Sequence, residues 1–514
     1  MLKKTKDFLI ITLCSMVIVG LIAFGVIAFQ SKDMIYKYGQ QFFDNNTAVV
    51  NKLESIQQNI KSNNTTELIN DDLSTKSMRV TVNGISDIVN LSHSTITINP
   101  KKLMTQLPNE VMFELPEGAT LNLFNQDFTT ENNSANVQID SIAKRNKYVG
   151  TLSYNGCVRN VVFETSPEFL ADYTLINSLY NDYGHFYLSD FSTNYAIELD
   201  GQGNPVFYLH DEGSEMHDFK KTVCDDGKTY YTYYKNFRFV LLDENYNFIK
   251  EIGLTPTKKL GNFKDIDCHD IILYNPDHYY IFSYLPRQIG ELGTDTPDYL
   301  ALATYIQEVK DGEVIFEWDS SDYPEFKEGA INVGAWVADA KGSNETNDYM
   351  HINSIFIDPK DGNIIFSCRH QSSVTKISRE TGEILWTLGG KLDDFGLTDE
   401  QKFSYQHTAT YLSDGSLMVF NNGNANKESS VMRFFLDEEN HKVVDFINYD
   451  FGDRFSPACG SAFQIDDNHV LVGWGYKEDG LIAASILNID TGKVENEIKT
   501  DRVIYGYRVH YSAQ

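Results

Sequence analysis

A unit that recurs four times between residues 217 and 420 constrains the fold more than any other feature of this chain. In each copy a histidine precedes an Asp-containing turn, and the turn opens a run of strongly β-forming residues. The four histidines are His217, His269, His351 and His407. Turn residues directly before a β-forming run predict hairpins. Repeated hairpins favour a radial β architecture that brings the histidines to one axis.

A second set of turns gives the number of repeats. Six turns containing Gly or Asn are each followed by alternating apolar residues, which predicts six outer hairpins. They occupy residues 199–209, 242–252, 310–318, 380–388, 437–447 and 490–498. A blade of four antiparallel strands takes about 40–50 residues plus loops, so the spacing predicts a six-bladed β-propeller. A solenoid is the alternative, but it would show capping repeats and a short uniform period.

The N-terminal region predicts a membrane anchor. Residues 8–29 form an uncharged run that spans roughly 33 Å as a helix, enough to cross a bilayer. Three lysines precede this run, which favours a cytoplasmic N-terminus and an extracytoplasmic remainder. A cleaved signal peptide is the rival interpretation, with a secreted protein as its consequence, although the run lacks a good small-residue cleavage site.

The predicted fold class is all-β, with four regions along the chain. Residues 1–30 are the anchor, and residues 31–74 are a polar stalk. Residues 75–168 show short alternating segments separated by turns, which predicts a small β-sandwich. Residues 169–514 carry the longer repeats and are the predicted six-bladed propeller and catalytic domain.

Charge and cysteine content exclude some functions. The formal net charge is −29, which argues against a nucleic-acid partner, because the excess of acidic residues would repel phosphates. The six cysteines are widely scattered and include no CxxC pair. Neither a disulfide framework nor a zinc site is predicted from that spacing.

The segment around His351 is the richest in candidate site residues. Arg369 lies on the far side of an Asp-Gly turn, and antiparallel pairing about that turn returns it to the neighbourhood of His351. A guanidinium and an imidazole together form a pocket suited to an anion. Asn353 shares the strand face of His351 and is expected to donate a further hydrogen bond, whereas His370 is expected on the opposite face and peripheral. The fixed charge of Arg369 disfavours a metal ion, so no metal site is predicted.

Aromatic residues near these positions are candidates for holding an aryl ring. They are Tyr405, Phe403 and Trp336.

Three stretches of the chain resemble bacterial arylsulfate sulfotransferases. The stretches DYMHINSIFIDPKDGNIIFSCRHQSS and FSYQHTATYLSDGSLMVFNNG are similar to signature segments of that family, and CHDIILYNPDHYYIFSY resembles its preceding blade. The resemblance covers residues 75–514 and implies a β-sandwich followed by a six-bladed propeller.

The resemblance also implies a reaction and roles for residues. Members transfer a sulfuryl group from a phenolic sulfate ester to another phenol through a sulfohistidine, without the nucleotide donor PAPS or another cofactor. The nucleophile falls on His407, the transition-state stabilisers on His351 and Arg369, and the supporting amide on Asn353. The acid/base falls on His269, with His217 as the alternative, and His217 is otherwise expected to contact the substrate. Related enzymes can be dimers, so a homodimer is a further expectation.

Two other functions stay open from the residues alone. One is a non-catalytic propeller that binds ligands, with structural histidines. The other is an aryl-sulfate hydrolase or a lyase that uses the same funnel.

Overall fold

The computed structural model describes the chain from residue 68 onward, with short gaps. The described ranges are 68–105, 107–139, 141–166, 170–176, 184–211, 213–261, 263–288, 300–330, 337–338, 345–476 and 481–513. The chain divides into two compact units, Met1–Ile69 and Asn70–Gln514, and the second holds the architecture below. The predicted anchor at 8–29 and most of the predicted stalk lie outside the described residues.

Nine of the first ten strands form two sheets that share a core. Strand β4 is the exception and belongs to a later sheet. Apolar and polar residues alternate along these strands, so each sheet buries one face. Val80 and Phe113 of one sheet and Leu152 and Phe163 of the other belong to a single apolar cluster. The sheets run in the orders β2-β1-β5-β8 and β3-β10-β9-β6-β7. The strands are β1 Ser77–Val82, β2 Ile85–Asn90, β3 Thr95–Ile98, β4 Lys102–Met104, β5 Asn109–Glu114, β6 Thr120–Leu123, β7 Gln126–Phe128, β8 Ser134–Val137, β9 Lys147–Tyr154 and β10 Cys157–Glu164.

The remaining strands form six further sheets in the described part of residues 173–512. Each has a core of four antiparallel strands. The first is β37-β12-β13-β14, and the next five are β15–β18, β19–β22, β25–β28, β29–β32 and β33–β36. Strand β4 extends the first sheet, β23 and β24 extend the third, and β11 extends the last.

The bounds of these strands follow chain order. They are β11 Tyr173–Ile176, β12 His185–Asp190, β13 Tyr195–Leu199, β14 Pro205–His210, β15 His217–Val223, β16 Thr229–Lys235, β17 Arg238–Leu242, β18 Phe248–Ile252, β19 Ile271–Asn275, β20 His278–Gln288, β21 Leu300–Lys310, β22 Glu313–Asp319, β23 Val337–Ala338, β24 Glu345–Asp348, β25 Ile352–Ile357, β26 Ile364–Cys368, β27 Ser373–Ile377, β28 Ile384–Gly389, β29 His407–Tyr411, β30 Leu417–Asn421, β31 Ser430–Asp437, β32 Lys442–Asp450, β33 Ser461–Gln464, β34 His469–Gly473, β35 Ile482–Asn488, β36 Lys493–Thr500 and β37 Val509–Ser512.

Apolar clusters fill the spaces between consecutive sheets. Five such clusters join each sheet to the next one along the chain. A sixth joins the last sheet to the first, because Leu471 and Ile486 pack in one cluster with Phe186 and Leu188. Burying one such side chain contributes about 1.5–3 kcal/mol. Face-to-face packing therefore closes the sheets into a ring, an arrangement typical of a β-propeller.

Hydrogen bonds between the two ends of this region also close the ring. Strand β37, close to the C-terminus, pairs with β12, with Phe186 opposite Tyr511. Strand β11 pairs with β36, with Tyr173 opposite Thr500. The first and last sheets are therefore each completed by a strand from the other end of the chain segment.

The predictions on secondary structure are largely confirmed. The fold is all-β, and all six outer hairpins occur at the predicted turns. The described helical elements are the α-helix α1, Glu325–Gly329, and two 3-10 turns, η1 Ser320–Asp322 and η2 Arg369–Gln371. None of the helices in the described ranges has the length and apolar character needed to cross a membrane.

Candidate active site

The four predicted histidines lie at or just before the first strands of four sheets. His217 opens β15 and His407 opens β29, while His269 and His351 lie just before β19 and β25. The hairpin of β25 and β26 returns Arg369 to His351, as predicted, and the Arg369 amide donates to the His351 carbonyl at 3.0 Å.

Three of the histidines lie close together, and two of them contact one tyrosine. The ring centroids of His269 and His351 are 5.0 Å apart. The ring of Tyr507 lies 5.1 Å from that of His269 and 6.2 Å from that of His407. Arg369 adds its charge to the group and depresses the pKa of both His351 and His407. We call this set the histidine cup: His269, His351, His407, Arg369 and Tyr507.

His217 lies apart from the histidine cup. Its ring stacks on Phe191 at 5.1 Å and stands edge-on to Tyr234, and its Nε2 contacts Glu215 at 3.3 Å. Among the described residues, neither a hydrogen bond nor a ring contact joins it to the other three histidines. Of the two candidates for the acid/base, His269 is therefore the one with direct contacts in the cup.

Each cup histidine is held through Nδ1, but the partners differ. The carboxylate of Asp267 binds His269 Nδ1, and that of Asp348 binds His351 Nδ1 at 2.5 Å. His407 Nδ1 instead contacts the amide oxygen of Asn422 at 2.6 Å. In all three cases the hydrogen bond at Nδ1 orients the ring. Nε2 is then the ring nitrogen that remains for other contacts.

Burial dominates the electrostatics of the cup. It lowers the pKa of His407 and His351 well below the ordinary imidazole value, and the positive charge of Arg369 adds to this in both. Burial also lowers the pKa of Arg369 and raises that of Asp348. His407 is therefore a neutral imidazole at neutral pH, next to a guanidinium suited to binding an anion.

His370 is a correction to the sequence prediction, which made it peripheral. Its ring centroid lies 4.5 Å from that of His351, and its Nε2 accepts from Arg369 Nη1 at 3.0 Å. Its Nδ1 donates to the main-chain oxygen of Asp348 at 2.6 Å. Burial lowers the pKa of His370 to about 3, so the neutral ring orients the guanidinium.

Asn353 is fully buried and supports the segment before His407. Its amide nitrogen donates to the main-chain oxygen of Gln406 at 2.8 Å. Its own main-chain oxygen accepts hydrogen bonds from Tyr507, at 2.7 Å, and from Arg508. These contacts indicate positioning of the cup, and the predicted substrate contact of Asn353 stays a prediction.

A buried ionic network adjoins Asn353. Arg508 lies 3.1 Å from Asp270, and Lys220 bridges Asp270 and Asp218 at 2.8 Å each. Two cations and two anions balance in this network. It ties β15, β37 and the segment before β19 together close to the cup.

The predicted aromatic residues have different surroundings. Tyr405 is partly exposed, and its ring lies under the Arg369 guanidinium at 4.8 Å. The prediction for Phe403 is wrong, because its ring is buried in the apolar core against Phe434. Trp336 lies outside the described residues.

Four residues in or beside the histidine cup have a strained backbone. His351, Tyr405, Thr408 and Cys459 have φ values of 51°, 54°, 47° and 60°, in the left-handed region. Such conformations cost about 1–3 kcal/mol each and are typical of functional sites. A hydrogen bond of 2.9 Å from the His351 amide to the Asp348 side chain holds the His351 backbone in this conformation.

Three groups of side chains in the described residues have ligand atoms close enough to share a metal ion. They are Asp267–Cys268–His269, Asp348–His351–His370 and Asp358–Asp361–Glu438. Lys376 occupies the third group, with Nζ within 2.6–2.7 Å of all three carboxylates. In the first two, the ring nitrogens already bind the aspartates, and Arg369 is close by. This chemistry fits an anion better than a cation.

The sequence prediction missed several residues that position the cup. Asp267 and Asp348 had a detectable signal, because each precedes its histidine by two or three residues. Asn422 and Tyr507 had none, since they come from distant segments and reach the cup only through the fold.

Comparisons with known proteins identify the family to which the chain is similar. Residues 158–508 match the model of the arylsulfotransferase (ASST) family. Over 176 residues the chain is 28% identical to arylsulfate sulfotransferase AssT of Escherichia coli O6:H1, a match covering 27% of this chain and 29% of that protein. The chain thus matches less than a third of the length of this curated relative.

Solved structures give weaker similarities. A protein of unknown function from Bacteroides caccae aligns with TM-score 0.40 and 13% identity, covering 64% of this chain and 99% of the other. A streptogramin B lyase aligns with TM-score 0.33 and 13% identity, covering 65% and 89%. The β-propeller domain of Cps50 (Swd1) from Myceliophteria thermophila gives 0.34 and 10%, covering 65% and 90%. By the extent of the family match, the chain belongs to the arylsulfotransferase family.

Proposed function

We propose that this protein transfers a sulfuryl group from a phenolic sulfate ester to an acceptor phenol. The observation that carries the proposal is the convergence of His269, His351 and His407 with Arg369 in one partly buried cup. Family membership supports it. A transferred sulfuryl group spreads negative charge over its oxygens, which is the charge that Arg369 and a hydrogen-bonding His351 stabilise.

In the first step, the neutral His407 attacks sulfur with the lone pair of Nε2. The S–N bond forms as the bond from sulfur to the aryl oxygen breaks, and the departing oxygen takes a proton from His269. The first phenol then dissociates, and a sulfohistidine remains on the enzyme.

In the second step, His269 removes the proton of the acceptor phenol. The phenolic oxygen attacks sulfur, and the S–N bond breaks with its electron pair returning to Nε2. A new aryl sulfate leaves, and the enzyme returns to its starting state. This ping-pong sequence divides one difficult transfer into two easier steps and needs no cofactor.

The architecture proposed for this reaction is a six-bladed propeller after an N-terminal β-sandwich. The ring of six face-packed sheets supports the propeller. The core shared by β1 and β5 with β9 and β10 supports the sandwich. First strands of neighbouring blades start at the central channel of a propeller. That geometry explains why histidines from different sheets meet.

We further propose that the protein is anchored in the cell membrane with its catalytic domain extracytoplasmic. The apolar run at 8–29 and the lysines before it support this placement. Alkaline phosphatase fused after residue 74 should be active in intact bacterial cells if the placement is right, and inactive if the domain faces the cytoplasm. The homodimer stays a prediction.

A chromogenic aryl sulfate, incubated with and without phenol, tests the activity. Phenol-dependent release of the chromophore, with phenyl sulfate as product, supports transfer. Equal release without phenol would indicate a hydrolase, and no release would favour a binding protein. The variant His407→Asn should be inactive. His441→Asn is the matched control, because His441 lies on an outer hairpin where its φ of 49° suits Asn.

A further inference from the structure

Three of the four repeated histidines have an acidic residue just before them, and the fourth does not. Glu215, Asp267 and Asp348 precede their histidines by two or three residues, and each side chain binds its histidine ring. The corresponding residues before His407 are Ser404, Tyr405 and Gln406, which carry no carboxylate. The Nδ1 partner of His407 instead comes from the end of β30.

The orientation of the Asn422 amide follows from its other contacts. Its Nδ2 donates to the main-chain oxygens of Ser456, at 2.7 Å, and Cys459, at 2.9 Å. Both amide protons are therefore committed, and Oδ1 is the atom that faces His407 Nδ1 at 2.6 Å. An amide oxygen only accepts hydrogen bonds, so His407 Nδ1 carries a proton and Nε2 carries the lone pair.

The surroundings hold Asn422 in this orientation. The residue is fully buried, and its main-chain oxygen accepts from the Ser429 hydroxyl at 2.8 Å. The same hydroxyl accepts from the Ser456 amide at 2.9 Å, so the carbonyl that Asn422 binds is fixed as well. Rotation of the amide would break two hydrogen bonds and leave buried groups unpaired.

We propose that Asn422 is the positioning residue that holds His407 as the neutral Nδ1–H tautomer, with Nε2 ready to attack sulfur. The partner on Nδ1 distinguishes His407, which contacts an uncharged amide, from His269 and His351, which contact carboxylates. The catalytic role of the contact between Asn422 and His407 rests on the proposed function, but the tautomer of His407 is a property of the free protein.

The same contact serves the covalent intermediate. When Nε2 carries the sulfuryl group, the ring becomes positive and Nδ1–H continues to donate to Asn422. A carboxylate in place of the amide would stabilise the imidazolium of the free enzyme and remove the lone pair that attacks. The uncharged amide of Asn422 therefore suits a nucleophile that must be neutral in the free enzyme.

The tautomer is measured directly by ¹⁵N NMR of the full-length protein labelled at histidine. The shifts of protonated and unprotonated ring nitrogens differ, and the His407 signals are those lost in His407→Asn. At neutral pH we expect Nδ1 protonated and Nε2 unprotonated. A proton on Nε2, or a charged ring, would overturn the proposal. The tautomer found as expected in a protein without sulfuryl transfer would refute the proposed function and leave this inference standing.

Two variants separate positioning from folding. In Asn422→Asp, the carboxylate should raise the pKa of His407 by about 1–3 units, so the acidic limb of kcat/KM moves to higher pH. An unmoved limb in a folded variant would contradict the proposal. The groups around His407 that also titrate or carry charge are Arg369, His351, His269, Tyr507 and, beyond Asn422, Cys459.

The neighbouring Asn421 gives the matched control. It is also buried, but its side chain binds the amides of Ser404 and Gly423 rather than His407. Asn421→Ala should lower the thermal stability while leaving the His407 tautomer and the acidic limb unchanged. Asn422→Ala should mix the two His407 tautomers, and it serves if the Asp variant does not fold. A single Nδ1–H tautomer in Asn422→Ala would show that Asn422 does not set it.

Discussion

Tyr507 stands edge-on to His269, with 5.1 Å between the ring centroids and 79° between the ring planes. The same ring reaches His407 at 6.2 Å, and its hydroxyl donates to the main-chain oxygen of Asn353 at 2.7 Å. Burial raises the pKa of Tyr507, which keeps this hydroxyl protonated as a donor. Tyr507 therefore lies between the rings of His407 and His269.

Substitutions of Tyr507 should separate the ring from the hydroxyl. Tyr507→Phe keeps the spacer and loses one hydrogen bond of about 1 kcal/mol, so kcat/KM should fall roughly fivefold. Tyr507→Leu removes the ring and should cost roughly 100-fold, because small displacements of reacting groups are expensive. Steady-state kinetics with a chromogenic aryl sulfate measure both. Equal losses in the two variants would contradict a spacing role.

His269 and His217 should differ as candidates for the acid/base. His269→Asn should lower kcat by roughly 100-fold or more, because a general acid–base group is lost from the cup. His217→Asn should mainly raise KM, as expected for its predicted substrate contact, since its described contacts are with Phe191, Tyr234 and Glu215 and not with the cup. The kcat and KM of each variant decide between them. The reverse pattern would assign the proton transfer to His217.

The ionic network beside Asn353 should matter for stability. Asp270→Asn leaves Lys220 and Arg508 with one compensating carboxylate, so the free energy of unfolding should fall by about 3–5 kcal/mol. The control is Asp277→Asn, which removes an exposed ion pair with Lys250 and should change stability by less than about 1 kcal/mol. Urea denaturation measures both. A neutral outcome for Asp270→Asn would show that the network does not hold the sheets together.

Stability should fall in mild acid because of the buried histidines. The folded protein keeps His370 neutral down to about pH 3, whereas an unfolded imidazole gains its proton near pH 6.5. Below pH 6.5 the unfolded chain therefore binds more protons, and stability falls by about 1.4 kcal/mol per pH unit for each such histidine. His351 and His407 act in the same direction. His370→Asn should reduce this slope between pH 6.5 and 5, and an unchanged slope would contradict a neutral buried ring.

The sequence predicted those features that local patterns determine. The outer hairpins, the positions of His269, His351 and His407 at the starts of strands, and the return of Arg369 to His351 all depend on turns and on two-residue alternation. These signals lie within a few residues of the features that they predict.

Features that depend on distant segments or on the end of a strand were not predicted. His370 was placed opposite Arg369 by strand alternation, but β26 ends at Cys368 and a 3-10 turn begins at Arg369. The turn brings both side chains to the cup. Asn422 and Tyr507 contact histidines 15 or more residues away in sequence, and no local pattern specifies such contacts.

The proposed mechanism requires that His407 becomes covalently sulfated during turnover. Mass spectrometry of protein mixed with an aryl sulfate in the absence of phenol, quenched rapidly at alkaline pH and digested, detects this intermediate. We expect one added sulfuryl group on the peptide that contains His407, lost again when phenol is added before the quench. Transfer activity with the sulfuryl group on another residue, or without any labelled peptide, would rule out His407 as the nucleophile.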